Sequence, residues 1–138
     1  MRNTHLPDHL LALLEGTQRR MIAELTNYER VTARGSYVRI AQMVPPEGIR
    51  VTDLAALANM TKQALGQFVD EMEAAGLVTS ERLATDRRVR LVRRTAHGDE
   101  VCATVDRVFA EIENKLRAEV GERRYQTMRK VLGELSVI

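Results

Sequence analysis

The sequence has few aromatic residues, one cysteine and three histidines, and each shortage disfavours a class of function. Aromatic residues make up 4% of the 138 residues and tryptophan is absent, which argues against binding single-stranded nucleic acid by base stacking. The histidines, His5, His9 and His97, are not accompanied by a cysteine or a third ligand at metal-site spacing. Glycine-rich phosphate loops, nucleophile elbows and paired-acid motifs are also missing. We therefore expect no metal, no cofactor and no enzymatic activity.

Long apolar runs are also missing. No span of about 20 apolar residues exists, which excludes a transmembrane helix and a membrane partner. The apolar run near the N-terminus is short and is followed by Glu15 and Gln18-Arg19-Arg20 instead of a small-residue cleavage site, unlike a secretory signal. A single cysteine cannot form an internal disulfide, which fits a reducing compartment. The sequence predicts one cytoplasmic domain, residues 1–138.

What the chain does have is one concentrated basic segment. Between Arg82 and Arg94 there are six arginines and a single acid, Asp86, so the local charge is +5 within a chain of net charge +2. The remainder carries 15 basic and 18 acidic residues, or −3. Such a segment is typical of a protrusion that binds a polyanion. A solvated, salt-bridged hairpin is the alternative, and charge alone does not decide between them.

Helical spacing of apolar residues before this segment predicts a long first helix from Pro7 to Arg34. A second apolar run, residues 37–44, is stopped by the turn Pro45-Pro46-Glu47-Gly48. Residues 49–51 can form one short strand, after which Thr52 is predicted to cap a short helix. The inner face of that short helix is expected to comprise Leu54, Leu57 and Ala58.

The pattern from Thr61 to Val92 predicts a helix-turn-helix followed by a β-hairpin. Thr61 caps a helix that Gly76 ends, and its apolar stripe faces inward. This signal alone is weak, because many helical hairpins share it. Two strands, residues 77–83 and 89–92, follow with a basic connection between them. A helix-turn-helix with such a hairpin is a winged helix. From Thr95 on the pattern is helical again, and Gly121 separates two helices.

Several motifs in this region resemble those of the MarR (multiple antibiotic resistance regulator) family. Asp86-Arg87-Arg88 matches the family's Asp-x-Arg at the wing tip, and Thr95-x-x-Gly98 matches its helix-opening Thr-x-x-Gly. The resemblance implies a mainly α fold with a small β-hairpin. Its winged helix-turn-helix lobe would span about residues 36–95, and the dimerisation helices about residues 6–34 and 96–136.

The resemblance also implies double-stranded DNA as a partner. A helix in the major groove presents its N-terminal residues to base edges, with glutamine suited to adenine and Ala64 to a thymine methyl group. Arg88 would enter the minor groove while Asp86 orients it; the alternative is that Asp86 only caps the turn. Gly66 would let the DNA backbone approach closely. The expected DNA-binding residues are Thr52, Thr61, Lys62, Gln63, Ala64, Gln67, Asp86, Arg87, Arg88 and Arg90.

A second copy of the chain and a small molecule are the other expected partners. Apolar stripes on the terminal helices exceed what a small core can cover, which predicts homodimer contacts by Leu6, Leu10, Leu13, Tyr125, Met128, Leu132 and Leu135. An aromatic or phenolic effector is expected where the resemblance implies a pocket, at Tyr28, Tyr37, Arg39 and Met43, although core packing is the alternative for each of them. Cys102 lies on an apolar helical face, so a buried structural thiol is favoured over an oxidant sensor.

These features together predict a ligand-responsive transcriptional repressor that binds a palindromic operator as a homodimer. The competing hypothesis is a winged-helix module that binds protein or serves DNA architecture without operator specificity.

Overall fold

The computed structural model describes residues 5–31 and 33–136, and it is mainly helical with a small antiparallel sheet. This confirms the predicted fold class. In chain order the elements are α1 (Leu10–Leu25), α2 (Gly35–Ala41), β1 (Ile49–Arg50), α3 (Val51–Leu57), α4 (Lys62–Ala74), β2 (Val78–Arg82), β3 (Arg90–Arg94), α5 (Ala96–Val120) and α6 (Glu122–Leu135).

The chain divides into two compact units. One runs from Thr26 to Asp106, and the other combines the residues up to Leu25 with those from Arg107 onward. The first unit, here called the winged-helix unit, holds α2 to α4, the sheet and the start of α5. The second, here called the terminal unit, holds α1, the rest of α5 and α6.

The first helix is shorter than the predicted Pro7–Arg34. His9 precedes α1 and caps it, because its Nδ1 accepts a hydrogen bond from the backbone N–H of Ala12 at 3.1 Å. The helix ends at Leu25, where Thr26 and Asn27 follow, two residues whose side chains compete with helical backbone hydrogen bonds. A turn closed by the Val31 N–H on the Tyr28 carbonyl follows. Thr32, also inside the predicted helix, lies outside the described residues.

The start of α3 also differs from the prediction. Arg50 occupies the N-cap position without a side-chain hydrogen bond, and the helix begins at Val51. Thr52 therefore lies in the first turn and does not cap the helix. This start puts Val51, Leu54 and Ala55 on the buried face, and Leu57, assigned to that face from the sequence, points away and is 59% exposed.

The turn between α3 and α4 follows directly from its residues. Asn59 adopts a left-handed conformation with φ of 54°, which asparagine tolerates better than most residues. The Met60 N–H bonds to the Ala55 carbonyl at 2.9 Å, the closing bond of a Schellman motif. The Thr61 hydroxyl then accepts from the Ala64 N–H at 3.1 Å, which confirms its predicted role as the cap of α4.

Helix α4 is held by an apolar stripe at helical spacing. Leu65, Val69 and Met72 are fully buried, and burying one such side chain is worth about 1.5–3 kcal/mol. Gly76, with φ of 78°, ends the helix as predicted, since glycine adopts this conformation without steric cost. The core of the winged-helix unit contains Ile40, Ala41, Val44, Val51, Leu54, Ala55, Leu65, Val69, Met72, Leu77, Val78, Val92 and Cys102.

The hairpin pairs β2 with β3 in antiparallel register, from Val78 opposite Arg94 to Arg82 opposite Arg90. The short β1 adds to the other side of β3, so the strand order is β1-β3-β2. Strand β3 extends to Arg94, two residues beyond the predicted end. Arg94 is held there by an ion pair from its Nε to Asp99 of α5 at 3.0 Å.

The Thr95-x-x-Gly98 motif joins the hairpin to α5. The Thr95 hydroxyl accepts from the Gly98 N–H at 2.9 Å and donates to the Gly76 carbonyl at 2.5 Å. A Cβ on Gly98 would lie 2.0 Å from the carbonyl oxygen of Leu77. Glycine is therefore required here, because the start of α5 packs directly on the backbone that follows α4.

The terminal unit leaves apolar side chains exposed on α1 and α6. Leu10 is 59% and Leu135 is 67% exposed, and the other exposed apolar residues in this unit are Leu6, Leu11, Leu13, Leu14, Met128 and Val131. Tyr125, expected at a dimer interface, is instead buried within the chain: its hydroxyl bonds to Glu113 and the Arg117 guanidinium lies over its ring. Burial raises the pKa of the Tyr125 phenol.

Candidate nucleic-acid interface

The first two turns of α4 present polar side chains to solvent. Lys62, Gln63 and Gln67 are exposed, while Ala64 is half-buried. The positive end of the helix dipole and the Lys62 ammonium add to one another at this end of α4. A Cβ on Gly66 would have no neighbouring atom within 4 Å. The chain's own packing therefore does not require glycine at position 66.

The wing tip is built by two successive turns. The Asp86 N–H bonds to the Leu83 carbonyl at 3.2 Å, and the Val89 N–H bonds to the Asp86 carbonyl at 3.0 Å. The Asp86 side chain shapes the second turn, because its Oδ1 accepts from the backbone N–H of Arg88 at 3.1 Å. This is the local capping that aspartate favours in turns.

The same carboxylate also holds the Arg88 side chain. Its Oδ1 accepts from Arg88 Nε at 3.1 Å and its Oδ2 from Nη2 at 3.2 Å, a bidentate pair. Arg88 nevertheless remains 90% exposed. These bonds, with a smaller contribution from the charge of Arg50, hold the pKa of Asp86 below its usual range. In the free protein Asp86 thus both caps the turn and orients the arginine, the two roles that the sequence left as alternatives.

An open cleft of about 410 Å³ brings the helix and the wing together. It lies within the winged-helix unit, and its lining residues are Val51, Lys62, Gln63, Gly66, Arg82, Arg88 and Arg90. Four of these seven carry a positive charge. Lys62 and Gln63 on α4 therefore face one shared space with Arg88 of the wing, while the other two candidate base readers, Ala64 and Gln67, do not line it.

Five of the six arginines of the basic segment divide into two groups. Along strand β3, Arg90, Arg93 and Arg94 pair with Asp70, Glu81 and Asp99, respectively. At the tip, Arg87 and Arg88 are exposed beside the single acid Asp86. The salt-bridged hairpin and the exposed basic protrusion, alternatives in the sequence, thus each describe one part of the same element: the strand arginines are paired with other elements, and the tip arginines stay exposed.

Not all of the predicted site residues share the cleft. Thr52 is exposed in the first turn of α3 and does not line it. Arg82, which was not among the DNA-binding residues expected from the sequence, does line it, and its Nη1 donates to the Arg87 carbonyl at 3.1 Å. The available signal was the position of Arg82 opposite Arg90 in the paired strands. Arg82 thereby fixes the backbone of the wing tip.

The candidate effector residues have partners within the chain. The Tyr37 hydroxyl donates to Glu71 of α4 at 2.7 Å and accepts from Arg34 at 3.2 Å, while its ring packs edge-on against Phe68. Tyr28 lies under the Arg30 guanidinium, Met43 packs against the core, and Arg39 is exposed. Tyr37 thus connects the start of α2 to α4.

Cys102 is buried in the winged-helix unit. Burial raises the pKa of its thiol, against the opposing effect of the nearby Arg94 charge. The protonated thiol is a poor nucleophile, so Cys102 has the character of a structural cysteine. Among residues 5–31 and 33–136 there is no group of three acid, histidine or cysteine side chains suited to a metal ion.

Comparison with known proteins identifies the family. Residues 41–89, which include the helix-turn-helix and most of the wing, match the model of the MarR family. The transcriptional regulator HosA of Escherichia coli O127:H6 is 34% identical over 100 residues, covering 70% of this chain and 74% of HosA. The chain belongs to the MarR family, whose members are transcriptional regulators and not enzymes.

Solved structures agree on the winged-helix fold. A mutant MarR of E. coli, complexed with operator DNA, has a TM-score of 0.75 at 16% identity and covers 91% of each chain. CouR from Rhodococcus jostii RHA1, bound to p-coumaroyl-CoA, has a TM-score of 0.72 at 16% identity and covers 95% of this chain and 96% of CouR. No helix in the part of this MarR-family chain that the structure describes is both long and apolar enough to cross a bilayer.

Proposed function

We propose that this MarR-family regulator binds double-stranded DNA sequence-specifically, as a homodimer on a palindromic operator, and acts as a ligand-responsive repressor. The observation that carries the proposal is the shared cleft, where the exposed start of α4 faces the Asp86-oriented Arg88 of the wing. A recognition helix and an arginine held beside it can read adjacent major and minor grooves.

Each proposed contact has a physical reason. Lys62, Gln63, Ala64 and Gln67 occupy the turns of α4 that a major groove about 12 Å wide would receive. The empty space beside Gly66 suits close approach of a DNA backbone. Thr61 before α4 and Arg87 at the wing tip are both exposed, and they are proposed as phosphate contacts. Thr52 at the start of α3 is proposed as a further backbone contact.

Selection of bound duplexes from a random DNA pool, followed by salt-titrated binding, tests this function. We expect one palindromic sequence to emerge and to bind at least about 10³-fold more tightly than random duplex at the same salt concentration. Equal affinity for selected and random duplexes would favour the architectural module. No binding to either duplex would favour a protein-interaction module.

We further propose that the terminal unit forms the dimer interface through the apolar residues Leu6, Leu10, Leu13, Met128, Leu132 and Leu135, of which Leu132 is half-buried and the others are exposed. Residues 36–95 would then be the DNA-binding lobe, with residues 6–34 and 96–136 serving dimerisation. A two-fold dimer can space its recognition helices about one DNA turn apart, roughly 34 Å. Tyr125 would support this surface from beneath, because it is buried within the chain.

Light scattering at micromolar concentration is expected to give twice the chain mass of 15.6 kDa. Leu10→Glu should shift the protein toward the monomer, because a charge at an apolar interface is costly to bury. Leu57→Glu is the matched control: Leu57 is equally exposed, at 59%, but lies in the winged-helix unit. A monomeric wild type, or dissociation by Leu57→Glu alone, would contradict this interface.

Control by a small aromatic or phenolic molecule at Tyr28, Tyr37, Arg39 and Met43 completes the proposal. A ligand that takes the Tyr37 hydroxyl away from Glu71 would act directly on α4, and it can shift the DNA-binding state only by its differential affinity for the two states. The phenol-containing ligand of the CouR complex supports this chemistry.

A panel of aromatic acids and phenols is expected to yield a compound that raises the melting temperature and releases DNA, equally in wild type and in Cys102→Ser. The buried thiol gives no reason for the two proteins to differ. If the panel has no effect, while peroxide releases DNA from wild type but not from Cys102→Ser, then Cys102 is the sensor.

A further inference from the structure

Arg90 differs from the other residues expected to bind DNA, because residues of α4 and β2 already bind its guanidinium group. Its Nη2 bonds to Asp70 of α4 at 2.6 Å, and its Nε donates to the Ser80 hydroxyl of β2 at 3.0 Å. Its Nη1 lies 3.4 Å from the Gly66 carbonyl, and a second carboxylate, Glu73, is 3.7 Å from Nη2. The side chain is only 17% exposed.

The partners of Arg90 are themselves connected. Glu73 accepts from both the backbone N–H of Ser80, at 2.5 Å, and the Ser80 hydroxyl, at 2.9 Å. Helix α4, strand β2 and strand β3 therefore meet in one hydrogen-bonded network, which holds the tip end of the β2–β3 ladder against α4. Asp70, Glu73 and Arg90 together carry a charge of −1, so the network as a whole offers no positive charge to a phosphate.

If the Arg90 side chain moved to contact a phosphate, it would therefore lose more hydrogen bonds and ion pairs than it would gain. Asp70 and Glu73 would be left without their cation near a polyanion, and Ser80 would lose its second partner. The register places Arg90 opposite Arg82, at the last pair before the tip loop. Holding Arg90 in place at this pair sets the direction in which the tip loop extends from the sheet. It therefore also sets the position of Arg88 relative to α4.

We propose that Arg90 is a positioning residue: together with Asp70 and Glu73 it locks the wing onto the recognition helix and so fixes the spacing between the two DNA-reading elements. This rests on the proposed function, since the spacing matters only if both elements engage one duplex. It also reverses the expectation that Arg90 contacts DNA. The consequence is counterintuitive, because removing the negative charge of Asp70 from the DNA-binding face should weaken binding.

The experiment measures binding of the selected duplex and its salt dependence for Asp70→Ala, Arg90→Gln and the double variant. We expect each single variant to lose about tenfold or more in affinity, because a reading element left loosely held no longer meets its target in one geometry. The double variant should lose no more than either single variant, since one shared lock is broken. The salt slope should stay at the wild-type value in all three, as no phosphate contact is removed.

Two comparisons sharpen the result. Glu81→Ala removes a similarly exposed carboxylate that pairs with Arg93 farther along the hairpin, and it should bind as tightly as wild type or more tightly. Arg87→Ala should lower the salt slope by about 1 for each chain that contacts a phosphate. If Asp70→Ala binds as tightly as wild type, the proposal is wrong. If Arg90→Gln lowers the slope as Arg87→Ala does, the proposal is also wrong, and Arg90 is a DNA contact.

A readout without DNA separates this proposal from the proposed function. Amide hydrogen exchange in the β2–β3 ladder should become several-fold faster in Asp70→Ala and Arg90→Gln, because the anchored hairpin opens more often. Glu81→Ala should leave the exchange in the same ladder unchanged. If wild type fails to bind DNA but the exchange rates change as expected, the lock exists and the DNA function is wrong. Unchanged exchange in both anchor variants would overturn the lock itself.

Discussion

Replacing Gly98 with alanine is expected to destabilise the protein by more than about 3 kcal/mol, a large part of the free energy of unfolding of a typical domain. The new Cβ would lie 2.0 Å from the Leu77 carbonyl oxygen. The obstacle is a backbone atom and not a flexible side chain, so the start of α5 must move. That movement also breaks the Thr95 bonds to Gly76 and Gly98. Urea unfolding followed by far-ultraviolet circular dichroism measures the loss.

Gly66→Ala is the matched control for this prediction. It is the same substitution in a helix of the same unit, but at Gly66 the added methyl group meets no atom within 4 Å. Alanine in a helix interior is favoured over glycine by about 0.5–1 kcal/mol, so this variant should be more stable than wild type. Equal stability of the two alanine variants would mean that α5 does not pack on the Leu77 backbone.

Much of the winged-helix unit could be predicted because its signals are local. The Thr61 cap, Gly76 at the end of α4 and the apolar spacing of Leu65, Val69 and Met72 each specify one structure through short-range bonds or one packing face. Because these signals agree with one another, the order of helices and strands could be predicted with few errors.

The predictions were wrong where a second feature of the chain opposed the local signal on which they rested. Residues 26–34 continue an apolar pattern, but Thr26 and Asn27 end the helix at Leu25. Thr52 looked like a cap, yet the cap position is two residues earlier, at Arg50, directly after a strand that pairs with β3. Periodicity also could not show that Tyr125 faces the interior of the terminal unit. A stripe of apolar residues does not reveal whether the same chain or a second chain covers it.

The candidate site could be predicted by residue type but not by role. Arg88 and Arg90 are two residues apart in one basic run, and their charge is the same. Only the fold shows that Arg88 is held by a neighbour in its own turn and stays 90% exposed, while Arg90 is held by α4 and is 17% exposed. Asp70 and Glu73 are far from the wing in sequence. Nothing in their spacing indicated that they anchor it.

Arg88→Ala is expected to cause the largest loss of DNA binding of any single wing substitution. One good arginine contact is worth about 1–3 kcal/mol, and a homodimer loses it twice, so affinity for the selected duplex should fall by about 2–6 kcal/mol. The variant should fold normally, because the side chain is exposed and its only described partner is Asp86. Fluorescence anisotropy with a labelled duplex, repeated at several salt concentrations, should show weaker binding and a shallower salt slope.

Asp86→Ala separates the charge of Arg88 from its orientation. This variant keeps the arginine and makes the wing more positive, so a purely electrostatic contact would be strengthened. We expect the opposite for the selected duplex, since both the turn and the guanidinium lose the bonds that orient them, while affinity for random duplex should rise.

Lowering the pH should change DNA binding in the same direction as Asp86→Ala. Asp86 has a lowered pKa, so the ion pair is complete at neutral pH and is lost as the pH falls through that value. If Asp86→Ala bound the selected duplex as tightly as wild type, orientation by Asp86 would have no part in recognition.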